Sequence, residues 1–153
     1  MELKIREASE KDIPVIVQYN LSLASETESK TLDKKTLSLG VQAAIANSER
    51  CRYFVAEQSN RVVGQIMITY EWSDWRNGCI WWIQSVYVDA EFRRQGVFKQ
   101  LYQHVKDAAE KESECCGLRL YVEQENHGAQ STYKKLGMNA PGYLVFEKLW
   151  STA

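Results

Sequence analysis

The stretch Gln84–Tyr102, QSVYVDAEFRRQGVFKQLY, contains a strand, a basic turn and the start of a helix. Val86 and Val88 alternate with other residues, which is typical of a half-buried strand. Apolar residues then recur at helical spacing and predict a helix from close to Gly96 to about Glu114. The helical positions are Val97, Leu101, Val105 and Ala108.

The turn between this strand and this helix has the features of an anion-binding site. The first backbone N–H groups of a helix have no acceptor within it and lie at the positive end of its dipole, so they attract a phosphate. Gly96 lets the backbone approach the anion closely, and Arg93 and Arg94 add positive charge. Taken alone, these residues fit a solvated loop with two surface arginines equally well, because short glycine motifs often occur by chance.

Length and composition predict a globular protein with a single domain over residues 1–153. The net charge of −1 argues against a nucleic-acid-binding protein, which would carry a clear basic excess. No apolar run approaches the length of a membrane span, and Met1–Lys4 does not begin a signal peptide. We therefore expect no nucleic-acid or membrane partner and a cytoplasmic location.

The cysteines and histidines predict no metal site. No Cys-x-x-Cys pair occurs, and His104 and His127 are not spaced to complete a zinc site. The four cysteines are Cys51, Cys79, Cys115 and Cys116. Of these, the adjacent Cys115 and Cys116 are expected to stay as reduced thiols in a cytoplasmic protein.

The remaining sequence predicts the element order β-α-α-β-β-β-α-β-α-β, a mixed α/β fold. Parallel pairing is required only where the long helix crosses over between two strands. The strands are predicted around Leu3–Ile5 and at Tyr53–Glu57, Val62–Tyr70, Cys79–Val88, Leu118–Glu123 and Tyr143–Leu149. The other helices are predicted from Asp12, over Asp33–Asn47 and from Asn126, with a polar loop at Ala24–Thr31 and Gly117 ending the long helix.

Two signatures resemble those of the GNAT N-acetyltransferase superfamily. RRQGVF, residues 93–98, is similar to the acyl-CoA pyrophosphate loop, Arg/Gln-x-x-Gly-x-Gly/Ala, with Phe98 in place of the last small residue. The second signature is an Asn followed by a helix with a Tyr and then Leu-Gly-Phe. It is matched by Asn126, Ala129, Tyr133 and Leu136-Gly137-Met138. The resemblance covers Leu3–Lys148, nearly the whole chain.

The resemblance implies a mixed, mostly antiparallel sheet with a splayed parallel strand pair and helices on both faces. It implies transfer of an acetyl group from acetyl-CoA to a primary amine, either of a small molecule or of a protein. Homodimers are common among proteins that look like this. A non-catalytic module that binds acyl-CoA and senses or regulates is the alternative function.

The same resemblance assigns the binding residues and the acid. The backbone of Val86, Tyr87 and Val88 would pair with the pantetheine amides, and the valine N–H groups would stabilise the oxyanion. Tyr133 would donate a proton to the leaving thiolate, and Asn126 would cap its helix and bond the cofactor. The pyrophosphate would be held by Arg93, Arg94, Gln95, Gly96, Val97, Phe98 and Lys99.

The base and the acceptor remain open in the sequence. Glu71, Asp74 and Glu123, or a water, are candidates for the base, and solvent could also take the proton. Glu26 and Glu28 in the predicted loop are expected to be solvated. Four of the five tryptophans fall within residues 72–82 and favour an apolar acceptor wall or a dimer surface, without separating the two.

Overall fold

The computed structural model describes residues 2–150, which form two compact units. The N-terminal unit runs to Leu120, and the C-terminal unit begins at Tyr121. The strands are β1 (Lys4–Glu7), β2 (Cys51–Gln58), β3 (Arg61–Ser73), β4 (Gly78–Val88) and β5 (Cys115–Leu120). The helices are α1 (Ile13–Glu28), α2 (Lys34–Ala46), α3 (Val97–Lys111) and α4 (His127–Lys135). None of these helices is long and apolar enough to cross a membrane.

The N-terminal unit is built on one five-stranded sheet in the order β1-β2-β3-β4-β5. Every neighbouring pair is antiparallel except β4 and β5, which are parallel and are connected through α3. The sequence prediction of a mixed α/β sheet with one parallel pair is therefore confirmed. A parallel pair needs a crossover connection, and α3 provides it.

Alternation along β2 divides the core between the two faces of the sheet. Tyr53 and Val55 join a cluster of buried residues with Ile16 of α1 and Val41 of α2. Phe54 points to the other face, where its ring lies 5.2 Å from that of His104 in α3. Helices thus cover both faces of the sheet, as the resemblance implied.

The close approach of α3 to the sheet depends on Gly64. A Cβ atom at this position would lie 2.9 Å from Cγ1 of Val97 and 3.3 Å from Cδ1 of Leu101. Gly64 therefore marks a close approach of the helix to the strand, which is one of the usual reasons for a glycine inside a strand. This contact sets the position of the first turn of α3.

The predicted loop at Ala24–Thr31 is wrong, because α1 continues to Glu28. Ala24 is buried and keeps the helix on the sheet, while the polar residues after it occupy the solvent side of the last turn. Ser29, with a φ of 51°, ends the helix. The polar residues at the end of α1 resemble a loop in sequence, although they are helical.

The boundaries around β5 also differ from the prediction. The long helix ends at Lys111 instead of Glu114, and β5 begins at Cys115, three residues before the expected Leu118. Gly117 lies inside the strand, opposite Ile80, and does not end the helix. Pairing with β4 decides where this strand lies, and local propensity carries no information about that partner.

In the C-terminal unit, the helix is confirmed but the final strand is not. Asn126 caps α4 by accepting a hydrogen bond from the backbone N–H of Ala129 at 3.1 Å. The predicted strand Tyr143–Leu149 is wrong, because these residues form no strand and are exposed. A strand requires a hydrogen-bonded neighbour, which β propensity alone does not supply.

Candidate active site

The parallel strands β4 and β5 part in the middle of the sheet. Their pairing ends at Ile83 and Leu120, whereas β4 continues to Val88. Just beyond this point Ser85 has a φ of 51°, and the register between β3 and β4 shifts. A bulge of this kind bends a strand and releases its backbone groups from the ladder. The splayed pair that the resemblance implied is therefore present.

One hydrogen bond shows to which side each backbone N–H group near the end of β4 points. The N–H of Asp89 donates to the carbonyl of Val63 at 2.9 Å, towards β3. Successive N–H groups of a strand alternate between its two sides, so those of Val86 and Val88 point away from β3. This is the side on which β4 has no pairing with β5 beyond Ile83.

Gln65 holds the bulge, and the sequence reasoning missed it. The side chain is fully buried, and its Nε2 donates to the carbonyl of Ser85 at 3.0 Å. Among residues 2–150 its Oε1 finds no hydrogen-bond partner. A glutamine inside the apolar run of β3 was the available signal, because a buried amide is costly unless it bonds something specific.

The turn before α3 has the backbone geometry of an anion site. Arg94 and Gly96 have φ values of 64° and 81°, and α3 begins at Val97. The first N–H groups of α3 therefore face the turn without acceptors inside the helix. No atom lies within 4 Å of the place that a Cβ on Gly96 would occupy, so the turn is open there.

Phe98, the departure from the family pattern, directs its ring along α3. The ring centroid lies 6.1 Å from that of Tyr102, one turn further into the helix. A phosphate bound in the turn would need this ring to point away from it, and the contact with Tyr102 is consistent with that.

The two arginines of the turn have different surroundings. Arg93 donates through Nη2 to Glu26 at 2.7 Å and through Nε to the carbonyl of Val88 at 2.9 Å. Its guanidinium also lies 5.2 Å from the ring centroid of Tyr87. Arg94 is exposed and, within the described part of the chain, forms no ion pair. Arg94 is therefore the arginine that is available to an incoming anion.

Glu26 is exposed, as expected, but its carboxylate also has two partners. Its carboxylate accepts the hydroxyl of Tyr87 at 2.5 Å as well as the guanidinium of Arg93. The hydrogen bond from Tyr87, followed by that from Arg93, lowers the pKa of Glu26. Through Glu26, the end of α1 is attached to the strand and the turn of the candidate site.

The three candidate bases all have other partners. Glu71 accepts Nη1 of Arg119 at 2.9 Å and Nε1 of Trp82 at 3.2 Å. Asp74 accepts the backbone N–H of Trp75 in the β3–β4 turn. Glu123, in the C-terminal unit, accepts the backbone N–H of Glu125 at 2.7 Å. The assignment of a base to any of them stays a prediction.

The aromatic cluster divides between the core and the surface. Trp81 is buried, and its neighbour Trp82 is half-buried on the opposite face, as the alternation predicts. Trp72 and Trp75 are exposed at the tip of the β3–β4 hairpin. The indole groups of that tip are thus accessible.

The C-terminal unit contains the predicted acid. Tyr133 lies in α4, seven residues after the capping Asn126, and is half-buried. Burial raises the pKa of Tyr133, so the hydroxyl remains protonated at neutral pH. Among the described residues, no group of three or more His, Cys, Asp or Glu side chains could hold a metal ion.

The chain matches the model of the acetyltransferase (GNAT) family over residues 18–138. It is 44% identical to a possible acetyltransferase from Clostridium difficile 630, with a TM-score of 0.92 over 99% of this chain and 100% of that one. No curated protein matches it.

More distant solved structures share the fold. A predicted acetyltransferase from Clostridium acetobutylicum, solved with acetyl-CoA, is 18% identical with a TM-score of 0.77, covering 95% of this chain and 96% of that one. A ribosomal-protein-alanine N-acetyltransferase from Brucella melitensis biovar Abortus 2308 is 14% identical with a TM-score of 0.78, covering 97% and 99%. At these identities the likeness extends to the fold alone.

Proposed function

The chain belongs to the acetyltransferase (GNAT) family, and on this basis we propose that it moves an acetyl group from acetyl-CoA directly to a primary amine. The observation that carries the proposal is the end of β4. There, two outward N–H groups on a strand released by a bulge lead into a helix whose first N–H groups face an open, basic turn. The outward N–H groups of the strand suit a thioester and the amides next to it, and the first N–H groups of the helix suit a diphosphate.

Different residues of this region bind different parts of the cofactor. The N–H groups from Arg94 to Lys99 bind the pyrophosphate, and the guanidinium of Arg94 adds a charge-assisted contact. The backbone of Val86–Val88 pairs with the pantetheine amides as an added strand would. Arg93, which the sequence also assigned to the phosphates, keeps the turn attached to Glu26.

The reaction requires two proton transfers around one acyl transfer. The amine loses a proton to a carboxylate, a water or solvent, and its nitrogen then attacks the thioester carbon. The N–H groups of Val86 and Val88 stabilise the resulting oxyanion, since donors placed where charge develops lower the barrier. The carbon–sulfur bond then breaks, and Tyr133 protonates the leaving thiolate.

The acceptor is a small amine or the amino group of a protein. We further propose that both compact units make up a single catalytic domain, because the family match at residues 18–138 spans both.

Free thiols at all four cysteines support a cytoplasmic location. We also propose that the enzyme works as a homodimer.

Calorimetry with coenzyme A tests the binding half of this proposal. Arg94→Glu is expected to weaken binding by about 10- to 100-fold, the value of one charge-assisted contact, with little change in the melting temperature without ligand. Arg50→Glu, the same charge change on an exposed arginine elsewhere in the N-terminal unit, is the matched control. A wild-type protein that binds no coenzyme A at millimolar concentration would exclude the proposal.

Thiol release from acetyl-CoA in the presence of mixed amines separates an enzyme from an acyl-CoA sensor. The enzyme releases thiol with at least one amine class, and Tyr133→Phe suppresses that release. If the wild type binds coenzyme A but releases no thiol across a broad panel, the non-catalytic alternative is favoured. The half-buried, protonated Tyr133 supports the enzyme.

A further inference from the structure

One serine inside the sheet has an unfavourable backbone conformation. Among residues 2–150, Ser85 is the only residue other than glycine that lies within a strand and has a positive φ. Ser85 and Val86 of β4 together lie opposite the single residue Ile66 of β3, which is the arrangement of a bulge. Glycine is the usual first residue of a left-handed bulge, because any larger residue loses free energy in this conformation.

The hydroxyl of Ser85 gives a reason for a serine at this place. Burial raises the pKa of Tyr53, and side-chain hydrogen bonds with Asn20 and Ser85 oppose the rise. The amide of Asn20 donates through Nδ2 to the hydroxyl of Tyr53 at 3.1 Å and to the carbonyl of Ile16 at 3.0 Å. A glycine at position 85 would have no side chain to join these bonds.

These side chains form a buried polar cluster between the sheet and α1, the bulge cluster, which consists of Asn20, Tyr53, Gln65 and Ser85. Val55 lies opposite Gln65 and two residues after Tyr53, so Tyr53 and Gln65 share one face of the sheet. Asn20 and Gln65 are two of the three buried polar or charged side chains, tyrosines apart, in the described part of the chain. Because buried polar groups are costly, their concentration beneath one bulge indicates a role beyond packing.

The bulge cluster fixes the direction of one backbone N–H group. Nε2 of Gln65 donates to the carbonyl of Ser85 at 3.0 Å, and this carbonyl belongs to the same peptide group as the N–H of Val86. A trans peptide group is planar, so its carbonyl and its N–H point in opposite directions. The bond from Gln65 therefore points the N–H of Val86 away from the core, and the bond between Ser85 and Tyr53 limits rotation of the same residue.

We propose that Tyr53 and Asn20 are positioning residues for acyl transfer, which work with Gln65 to aim one backbone N–H group at the oxyanion. That group is the N–H of Val86. The proposal rests on the proposed function, in which this N–H stabilises the oxyanion. A donor that already points to the place where charge develops lowers the barrier without reorganisation, and the residues that hold it need no contact with the substrate.

Steady-state kinetics of Tyr53→Phe test the proposal. The ring stays in the core and Asn20 keeps its bond to Ile16, so the melting temperature is expected to fall only slightly. We expect kcat to fall about 10- to 100-fold because the donor loses its aim, while the KM for acetyl-CoA changes by less than about threefold. Tyr70→Phe is the matched control, because it removes a hydroxyl of β3 that bonds the carbonyl of Ser48 at 3.4 Å, and it should leave kcat unchanged.

Two variants of Ser85 separate positioning from stability. Both Ser85→Gly and Ser85→Ala lose the hydroxyl, but only glycine relieves the left-handed strain, so Ser85→Gly is expected to melt at a higher temperature than Ser85→Ala. We expect kcat to fall in both variants. A kcat of Ser85→Gly equal to that of the wild type would overturn the proposal, because activity would then follow stability alone.

A double-mutant cycle in thermal unfolding examines the bulge cluster without any substrate. If the two hydroxyls bond each other, Tyr53→Phe lowers the melting temperature less in the Ser85→Ala background than in the wild type. Additive effects would overturn the proposal, as would an active wild type whose kcat is unaffected by Tyr53→Phe. A wild type that releases no thiol from acetyl-CoA with a broad panel of amines would overturn the proposed function and this role together, so the two failures are distinguishable.

Discussion

Gly64→Ala tests the link between the sheet and the start of α3. The new methyl group would lie 2.9 Å from Cγ1 of Val97, against about 3.5 Å for a relaxed carbon–carbon contact, so atoms must move by about 0.6 Å. Val97 and Leu101 are almost fully buried, and a β-branched valine has little rotamer freedom. The strain therefore displaces the first turn of α3.

The magnitude follows from two opposing effects. Overpacking a core costs about 1–3 kcal/mol. Replacing glycine by alanine adds about 0.4–1 kcal/mol of stability, because it restricts the unfolded chain. This gain applies at Gly64, since its φ lies outside the left-handed range and alanine can adopt it. The net loss of about 1–2 kcal/mol corresponds to a fall in melting temperature of about 2–8 °C.

Thermal unfolding and calorimetry with coenzyme A measure the two consequences of Gly64→Ala. The melting temperature is expected to fall, and the affinity for coenzyme A is expected to fall several-fold because the amides of the first turn move. Gly40→Ala is the matched control, since a Cβ there meets no atom within 4 Å inside α2. It is expected to stabilise the protein by up to about 1 kcal/mol. Equal or higher stability of Gly64→Ala, with unchanged affinity, would refute the reasoning.

Three further variants test the candidate site. Tyr133→Phe is expected to lower kcat by about 10²–10⁴-fold and leave the affinity for coenzyme A unchanged; steady-state kinetics with unaltered kcat would remove Tyr133 as the acid. The pKa of Glu26 is lowered from 4.5, so the stability it contributes is present above that pH and lost as the pH falls through the lowered value. In urea unfolding between pH 7 and 3, the difference between wild type and Glu26→Gln should close only at the acid end; a constant difference contradicts the contact with Arg93. Gln65→Leu removes both a hydrogen bond to Ser85 and an unpartnered acceptor, so stability should change by less than about 1 kcal/mol while kcat/KM falls. Unchanged kcat/KM would show that the bulge needs no such support.

The hairpins, the long helix and the basic turn were predictable because their signals are local. Ser59 and Asn60, both with positive φ, form the two-residue turn between β2 and β3, a turn that short polar residues favour. Gly96 starts α3 where the apolar periodicity begins, and Asn126 caps α4. In each case a few neighbouring residues determine the backbone conformation.

The surroundings of the charged groups could not be predicted in the same way. Glu26 and Arg93 are 67 positions apart, and the bond between them exists because α1 packs beside the end of β4. Gln65 and Ser85 meet only through the shifted register of β3 and β4. No local pattern encodes such distant pairs.

By itself, the sequence determined the types of most elements, the crossover that makes β4 and β5 parallel, and the family resemblance. Only the tertiary structure decided which arginine of the turn is available, where β5 begins, and that Tyr143–Leu149 forms no strand in the single chain. The physical reason is that helices and tight turns satisfy their hydrogen bonds locally, whereas strands and ion pairs depend on residues that folding brings from elsewhere.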